Sequence, residues 1–137
     1  MYVAGNGLNN LGCLSALRHL VRLDASRNEI TNMLDFEAPA CLDWVDYSHN
    51  KICKIENVVQ NPYLKELYLD DNEISVIEGL KANPNLRVLS MNQNSIKVIE
   101  NLEGMFLSKL YLKENQIKSI TGLDNLPVLS SLDLSKN

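Results

Sequence analysis

Asparagine returns along this 137-residue chain at an almost constant step. Asn28, Asn50, Asn72 and Asn94 are 22 residues apart, Asn115 follows after 21, and Asn137 after another 22. Counting back 22 from Asn28 reaches Asn6. A fixed period of roughly 20–50 residues implies identical units stacked in a row, each too small to bury its own apolar side. The frame around each asparagine is also constant. Apolar residues stand eight, five and three positions before it, and two, five and eight after it. For Asn72 these are Leu64, Leu67, Leu69, Ile74, Ile77 and Leu80. For Asn94 they are Leu86, Leu89, Met91, Ile96, Ile99 and Leu102, and for Asn115 they are Leu107, Leu110, Leu112, Ile117, Ile120 and Leu123. The Asn50 copy (Leu42, Val45, Tyr47, Ile52, Ile55, Val58) and the Asn28 copy (Leu20, Leu23, Ala25, Ile30, Met33, Phe36) are looser.

Each unit changes period at its asparagine. Before it, apolar residues alternate as in a strand. After it, they recur every third residue, as in a tight 3₁₀ turn. Where the chain leaves the strand, its N–H and C=O groups would be buried without partners. An amide side chain carries both donors and acceptors and can satisfy them. Asn28, Asn50, Asn72, Asn94, Asn115 and Asn137 are therefore expected to form a structural ladder.

The pattern L-x-x-L-x-L-x-x-N resembles the leucine-rich repeat, in its short regulatory-subunit-like form of 22 residues. The resemblance covers essentially the whole chain. It implies an α/β right-handed solenoid with a parallel β-sheet on the concave face and 3₁₀ or short helical turns on the convex face. Residues 1–137 are expected to be one such domain of about six repeats, cut at both ends, since neither end supplies a polar capping repeat. Open apolar coil ends also offer a route to end-to-end self-association.

Composition sets limits. The formal net charge of −4 lacks the basic stripe of a nucleic-acid binder. Apolar runs fall far short of a membrane span, and "MYVAGNGLNN" is not a secretory leader. Cys13, Cys41 and Cys53 are odd in number and form no C-x-x-C pair, which suits a reducing, intracellular, cytoplasmic compartment. His19 and His49 have no metal-ligand spacing with them. No catalytic constellation emerges. "GNG" at Gly5–Gly7 lacks the lysine of a phosphate loop, Ser48–His49 lacks facing geometry and an orienting acid, and Asp70–Asp71 reads as a solvated strand end. No enzyme activity, metal or cofactor is expected of these residues.

The register also sorts the residues that leave the sheet towards solvent. Six positions before each asparagine stand Arg22, Trp44, Glu66, Val88, Lys109 and Ser131. Four before stand Asp24, Asp46, Tyr68, Ser90, Tyr111 and Asp133. Two before stand Ser26, Ser48, Asp70, Asn92, Lys113 and Ser135. Aromatics suit strands on their own account. A lone tryptophan at a solvent-facing position is also the usual anchor of an interface. Trp44, Tyr68, Val88 and Tyr111 are read as a diagonal apolar band. Asp24, Asp46, Glu66 and Asp70 rim it on one side, and Lys109 and Lys113 on the other. A protein partner is expected there.

"LDASRNEITNMLDFEAPACL", "DYSHNKI", "LYLDDNEI" and "ITGLDNLPVLSSLDLSKN", with "GMFLSKLYLKENQI" from the shortened 21-residue repeat, are similar to the repeat region of proteins that join leucine-rich repeats to a guanylate-kinase-like domain. That resemblance implies a parent with such a domain and a scaffold role in microtubule structures of cilia, flagella and sperm. It also implies cytoskeletal or axonemal partners. Axonemal leucine-rich-repeat proteins share the 22-residue frame. Docking on a protein phosphatase or an axonemal motor is the other reading of the same face.

Overall fold

A computed structural model describes residues 1–37 and 39–137. Six three-residue strands, β1 (Arg22–Asp24), β2 (Trp44–Asp46), β3 (Glu66–Tyr68), β4 (Val88–Ser90), β5 (Lys109–Tyr111) and β6 (Ser131–Asp133), form one parallel sheet in chain order. Every strand pairs with the next in strict repeat register, so Leu23, Val45, Leu67, Leu89, Leu110 and Leu132 align across the sheet. Tyr2 adds a single parallel bridge to Asp24 beside β1. This is the architecture of a leucine-rich-repeat solenoid, with the sheet as its concave face.

The two apolar periods meet in one core. All six frame residues around Asn50, Asn72 and Asn94 are buried. None of these coils could bury them alone, because each presents a row of apolar side chains to its two neighbours. The frame is least well buried in the last described coils. Ile120 is 71% exposed and Leu132 39%, although their counterparts Ile99 and Leu110 are 1% and 0% exposed.

The return segments carry little regular structure. Their 3₁₀ turns, Val58–Gln60 and Leu80–Ala82, begin at the third apolar residue of the frame rather than at the first. The earlier turn Gly12–Ala16 is of the same kind. In the shortened unit a turn at Glu103–Gly104 replaces it, closed by the Met105 N–H donating to Leu102 O at 3.1 Å. Just before these turns, Asn57, Gly79, Asn101 and Gly122 all take positive φ. The amides of Asn57 and Asn101 donate to Met33 O and Ile77 O in the preceding coil, at 3.1 and 2.8 Å. At Gly79 a Cβ would stand 3.1 Å from the corresponding carbonyl, Ile55 O. Glycine admits the left-handed conformation and the close approach together.

The asparagines act as rungs joined through shared carbonyls, not through one another. The Asn72 Oδ1 accepts from the Ile52 N–H at 2.9 Å, and its Nδ2 donates to Tyr47 O, Leu69 O and Asp70 O. Tyr47 O also accepts from Asn50, and Leu69 O from Asn94. The pattern recurs at Ala25 O, Met91 O and Leu112 O, each shared by two consecutive ladder amides. A second asparagine pair, Asn61 and Asn83, is buried on the return side. Asn83 Nδ2 donates to Val58 O and Asn61 O, both at 2.9 Å, and Asn61 Nδ2 to Pro39 O at 2.8 Å. The sequence signal for this pair is the dipeptide Asn-Pro, which recurs at Asn61 and Asn83 with the repeat spacing.

Candidate partner-binding surface

The strand register places the solvent-facing residues in the columns expected from the sequence. Arg22, Trp44, Glu66, Val88, Lys109 and Ser131 align, as do Asp24, Asp46, Tyr68, Ser90, Tyr111 and Asp133. Within these columns the side chains divide into a tight cluster and scattered residues.

The cluster lies on β1–β3. Trp44 and Tyr68 are half-buried, with ring centroids 5.6 Å apart and planes tilted by 47°. The Arg22 guanidinium covers the indole at 4.8 Å from the ring centroid. The Tyr68 hydroxyl donates to Glu66 Oε2 at 2.7 Å. Its phenol is pushed up to about 12, first by desolvation, then by this bond to Glu66 and by the Glu66 and Asp46 charges. Asp46 and Asp24 each use one carboxylate oxygen, Oδ1, to accept from the backbone N–H of Ser48 and Ser26. That side-chain-to-backbone turn fixes the carboxyl at the strand end.

Asp70 lies on the same side of the sheet but is committed to it. Its Oδ1 accepts from Ser90 Oγ at 2.6 Å and from the Asn92 N–H at 2.7 Å, and Asn92 Oδ1 accepts from the Lys113 N–H at 2.8 Å. This carboxylate therefore ties its coil to the next, Asn92 carries the link on to a third, and Asp70 is not simply a solvated strand end. Tyr111 stands two strands beyond Tyr68, with buried Ser90 between them. Val88 is half-buried on β4 and Lys109 is exposed on β5. The Lys113 ammonium lies 3.8 Å from Glu114. Glu114 also accepts from Lys136 and Gln93, and these contacts hold its carboxyl below the usual range. The aromatic band is thus concentrated at Trp44 and Tyr68.

Next to the sheet runs a row in left-handed conformation: Arg27, His49, Asp71, Gln93, Glu114 and Lys136, with φ between 52 and 58°. Its members pair across coils, as in His49 Nδ1 with Asp71 Oδ2 at 2.7 Å. Ser48 is buried at the strand end, where its N–H is held by Asp46. Among the described residues, no three His, Cys, Asp or Glu side chains gather as metal ligands, and no helix is long and apolar enough to cross a membrane. Arg22 was in the solvent-facing column by register, but its place on Trp44 depends on a rotamer that spacing does not specify.

The raised Tyr68 phenol leads to an expected result. A group whose folded pKa lies above its unfolded value contributes stability fully present below the unfolded pKa. For Tyr68 that contribution is present below about 10 and is lost as pH rises towards about 12. Phenolate absorbance should show one tyrosine ionising late in this window, and Glu66→Gln should bring it down. An unchanged titration in Glu66→Gln would remove the carboxylate from the account.

A parallel sheet with one coil per strand, carrying a half-exposed aromatic pair on its open face, is the fold of a leucine-rich-repeat solenoid. Residues 62–104 match the family model for leucine-rich repeats in two copies. Among solved structures the chain is similar to an internalin, InlF, from Listeria monocytogenes, with 27% identity over 96% of this chain and 40% of that one, at a TM-score of 0.86. It is also similar to the functional domain of InlJ from the same species, with 28% identity over 87% of this chain and 26% of that one, at a TM-score of 0.73. YopM from Yersinia enterocolitica shares the fold at 24% identity over 85% of this chain and 24% of that one, with a TM-score of 0.64. The chain thus spans less than half the length of these three. No curated protein matches it.

Proposed function

We propose that this chain is a non-enzymatic scaffold that binds a protein partner on its concave face. Trp44 and Tyr68 form the centre, flanked by Asp46 and Glu66. Asp70, Val88, Lys109, Tyr111 and Lys113 supply the outer contacts. The observation that carries this reading is the Trp44–Tyr68 pair, half-exposed on the open face of the sheet. Aromatic residues that combine a large apolar body with a polar tip dominate interface energetics. The flanking charges would set orientation and encounter rate more than affinity.

The finer reading draws on the sequence resemblance described above. It places the module inside cells, in a protein that also carries a guanylate-kinase-like domain and helps to build the microtubule structures of cilia, flagella and sperm. Docking on a phosphatase or an axonemal motor is the second reading, and the acidic–aromatic character of β1–β3 favours it.

The test is affinity capture from ciliated or testicular extract with the native chain and with a Trp44→Ala, Tyr68→Ala, Tyr111→Ala variant whose fold is checked by circular dichroism. Partners retained by the native chain should be lost with the variant. Axonemal or microtubule proteins among them would support the scaffold, and co-purifying phosphatase activity the alternative. Identical capture by both forms would move binding off this face.

A further inference from the structure

The charges on the concave face are unequally matched. Asp24, Asp46 and Glu66 stand on three adjacent strands around Trp44 and Tyr68. None of the three forms an ion pair among the described residues, whereas Glu29, Asp43, Asp71, Glu78 and Glu114, all outside these columns, do. Each of the three also keeps one carboxylate oxygen with no hydrogen-bond donor, because the bonds that it accepts all fall on the other oxygen. The one cation on β1–β3 is Arg22. It is paired with none of them and lies on the indole face of Trp44 instead.

An arginine on an aromatic face is held by the ring quadrupole, while its planar guanidinium keeps its N–H donors in its own plane, pointing outwards and free for carboxylates at its edge. Arg22 uses the first half of this arrangement only. It therefore shows what the Trp44 face accepts, and the free oxygens of Asp46 and Glu66 supply the other half. Lysine, a compact and strongly hydrated charge, fits a planar stack less well. Resting on the reading of this face as a protein-binding surface, we infer that β1–β3 dock an arginine-bearing segment of the partner, whose guanidinium displaces Arg22 from Trp44. Arg22 is then a placeholder that keeps the indole covered in the free protein.

The chain has one tryptophan, so its fluorescence reports on this position directly. The probe is an acetylated, amidated tetra-arginine peptide at low salt, compared with tetra-lysine and tetra-glutamate. Tetra-arginine should change Trp44 emission saturably and more tightly than tetra-lysine, with no response to tetra-glutamate. Arg22→Gln should tighten tetra-arginine binding by about threefold. Arg87→Gln removes the guanidinium that lies 5.7 Å from the Phe106 ring, outside the columns, and should leave binding nearly unchanged. Asp46→Asn with Glu66→Gln should weaken it by about tenfold. Each variant is first shown to melt cooperatively.

Three results would overturn the inference: no saturable response in either the native chain or Arg22→Gln, an equal response to tetra-glutamate, or equal tightening by Arg87→Gln. The capture experiment separates this failure from that of the broader reading. If the aromatic variant loses its partners while tetra-arginine fails to bind, the face binds a protein but not through an arginine.

Discussion

Replacing Asn72 by alanine should lower the stability of the domain by about 2–3 kcal/mol, and the reason lies in how the rung shares its partners. The substitution deletes bonds to the Ile52 N–H and to the carbonyls of Tyr47, Leu69 and Asp70. The carbonyls keep other partners. Tyr47 O still accepts from Asn50, Leu69 O from Asn94, and Asp70 O from the His49 N–H. Only the buried Ile52 N–H is left with none. The loss is therefore that of one orphaned donor plus weakened bonds, and not four full desolvation penalties. Asn137 makes the same set of bonds, to the Ile117 N–H and to Leu112, Leu134 and Ser135 carbonyls, but it is exposed. Water can replace its amide, so Asn137→Ala should cost less than about 1 kcal/mol. Urea unfolding of the two variants measures the contrast. A neutral Asn72→Ala, or equal losses at both positions, would mean that the ladder does not stabilise the coils.

The same rung shows why so much of this fold is legible in the sequence. A one-residue slip would turn every strand side chain to the other face. A frame repeated around five asparagines therefore fixes which of Leu67 and Tyr68 points inward before any coordinates are known. Parallel stacking with a constant step then fixes the columns across the sheet. Spacing says nothing about rotamers or about competition between neighbours. Trp44 and Tyr111 look equivalent as exposed aromatics, yet only Trp44 gains an aromatic partner and a stacked arginine. Lys113 looks like a free rim charge, but Glu114 in the next position lies within ion-pair distance. Asp70 looks like another acidic rim residue, but a serine on β4 draws it into a network across coils. The site is legible as a set of positions, and its chemistry is decided by local contacts between them.

Tyr47 is where the frame departs furthest from its own rule, and removing it should have the largest effect of any single side chain. The column three before each asparagine reads Ala25, Tyr47, Leu69, Met91, Leu112 and Leu134, so its smallest and largest members are adjacent. Both are fully buried. Ala25 leaves volume in its coil, and the phenol ring can fill that volume without strain in a core of fixed density. The ring also carries its hydroxyl to the return segment of that coil, where the Leu34 N–H donates to it at 3.1 Å. Leu34 is buried with φ of 50°, a conformation that costs a branched apolar residue about 1–2 kcal/mol. Burial is the main cause that pushes the Tyr47 phenol far above its ordinary value, with the Leu34 bond acting the other way. Burial therefore favours the neutral hydroxyl. Tyr47→Ala should cost about 3–5 kcal/mol through the cavity and the lost bond together. Tyr47→Phe keeps the volume and should cost about 1–3 kcal/mol, for the orphaned Leu34 N–H alone. Hydrogen exchange distinguishes the two contributions. In Tyr47→Phe the Leu34 amide should lose protection while Leu67 and Leu89 keep theirs. If Tyr47→Phe is as stable as the native chain and Leu34 stays protected, the ring acts by volume only, and the unusual turn at Leu34 is held by packing instead of by the hydroxyl.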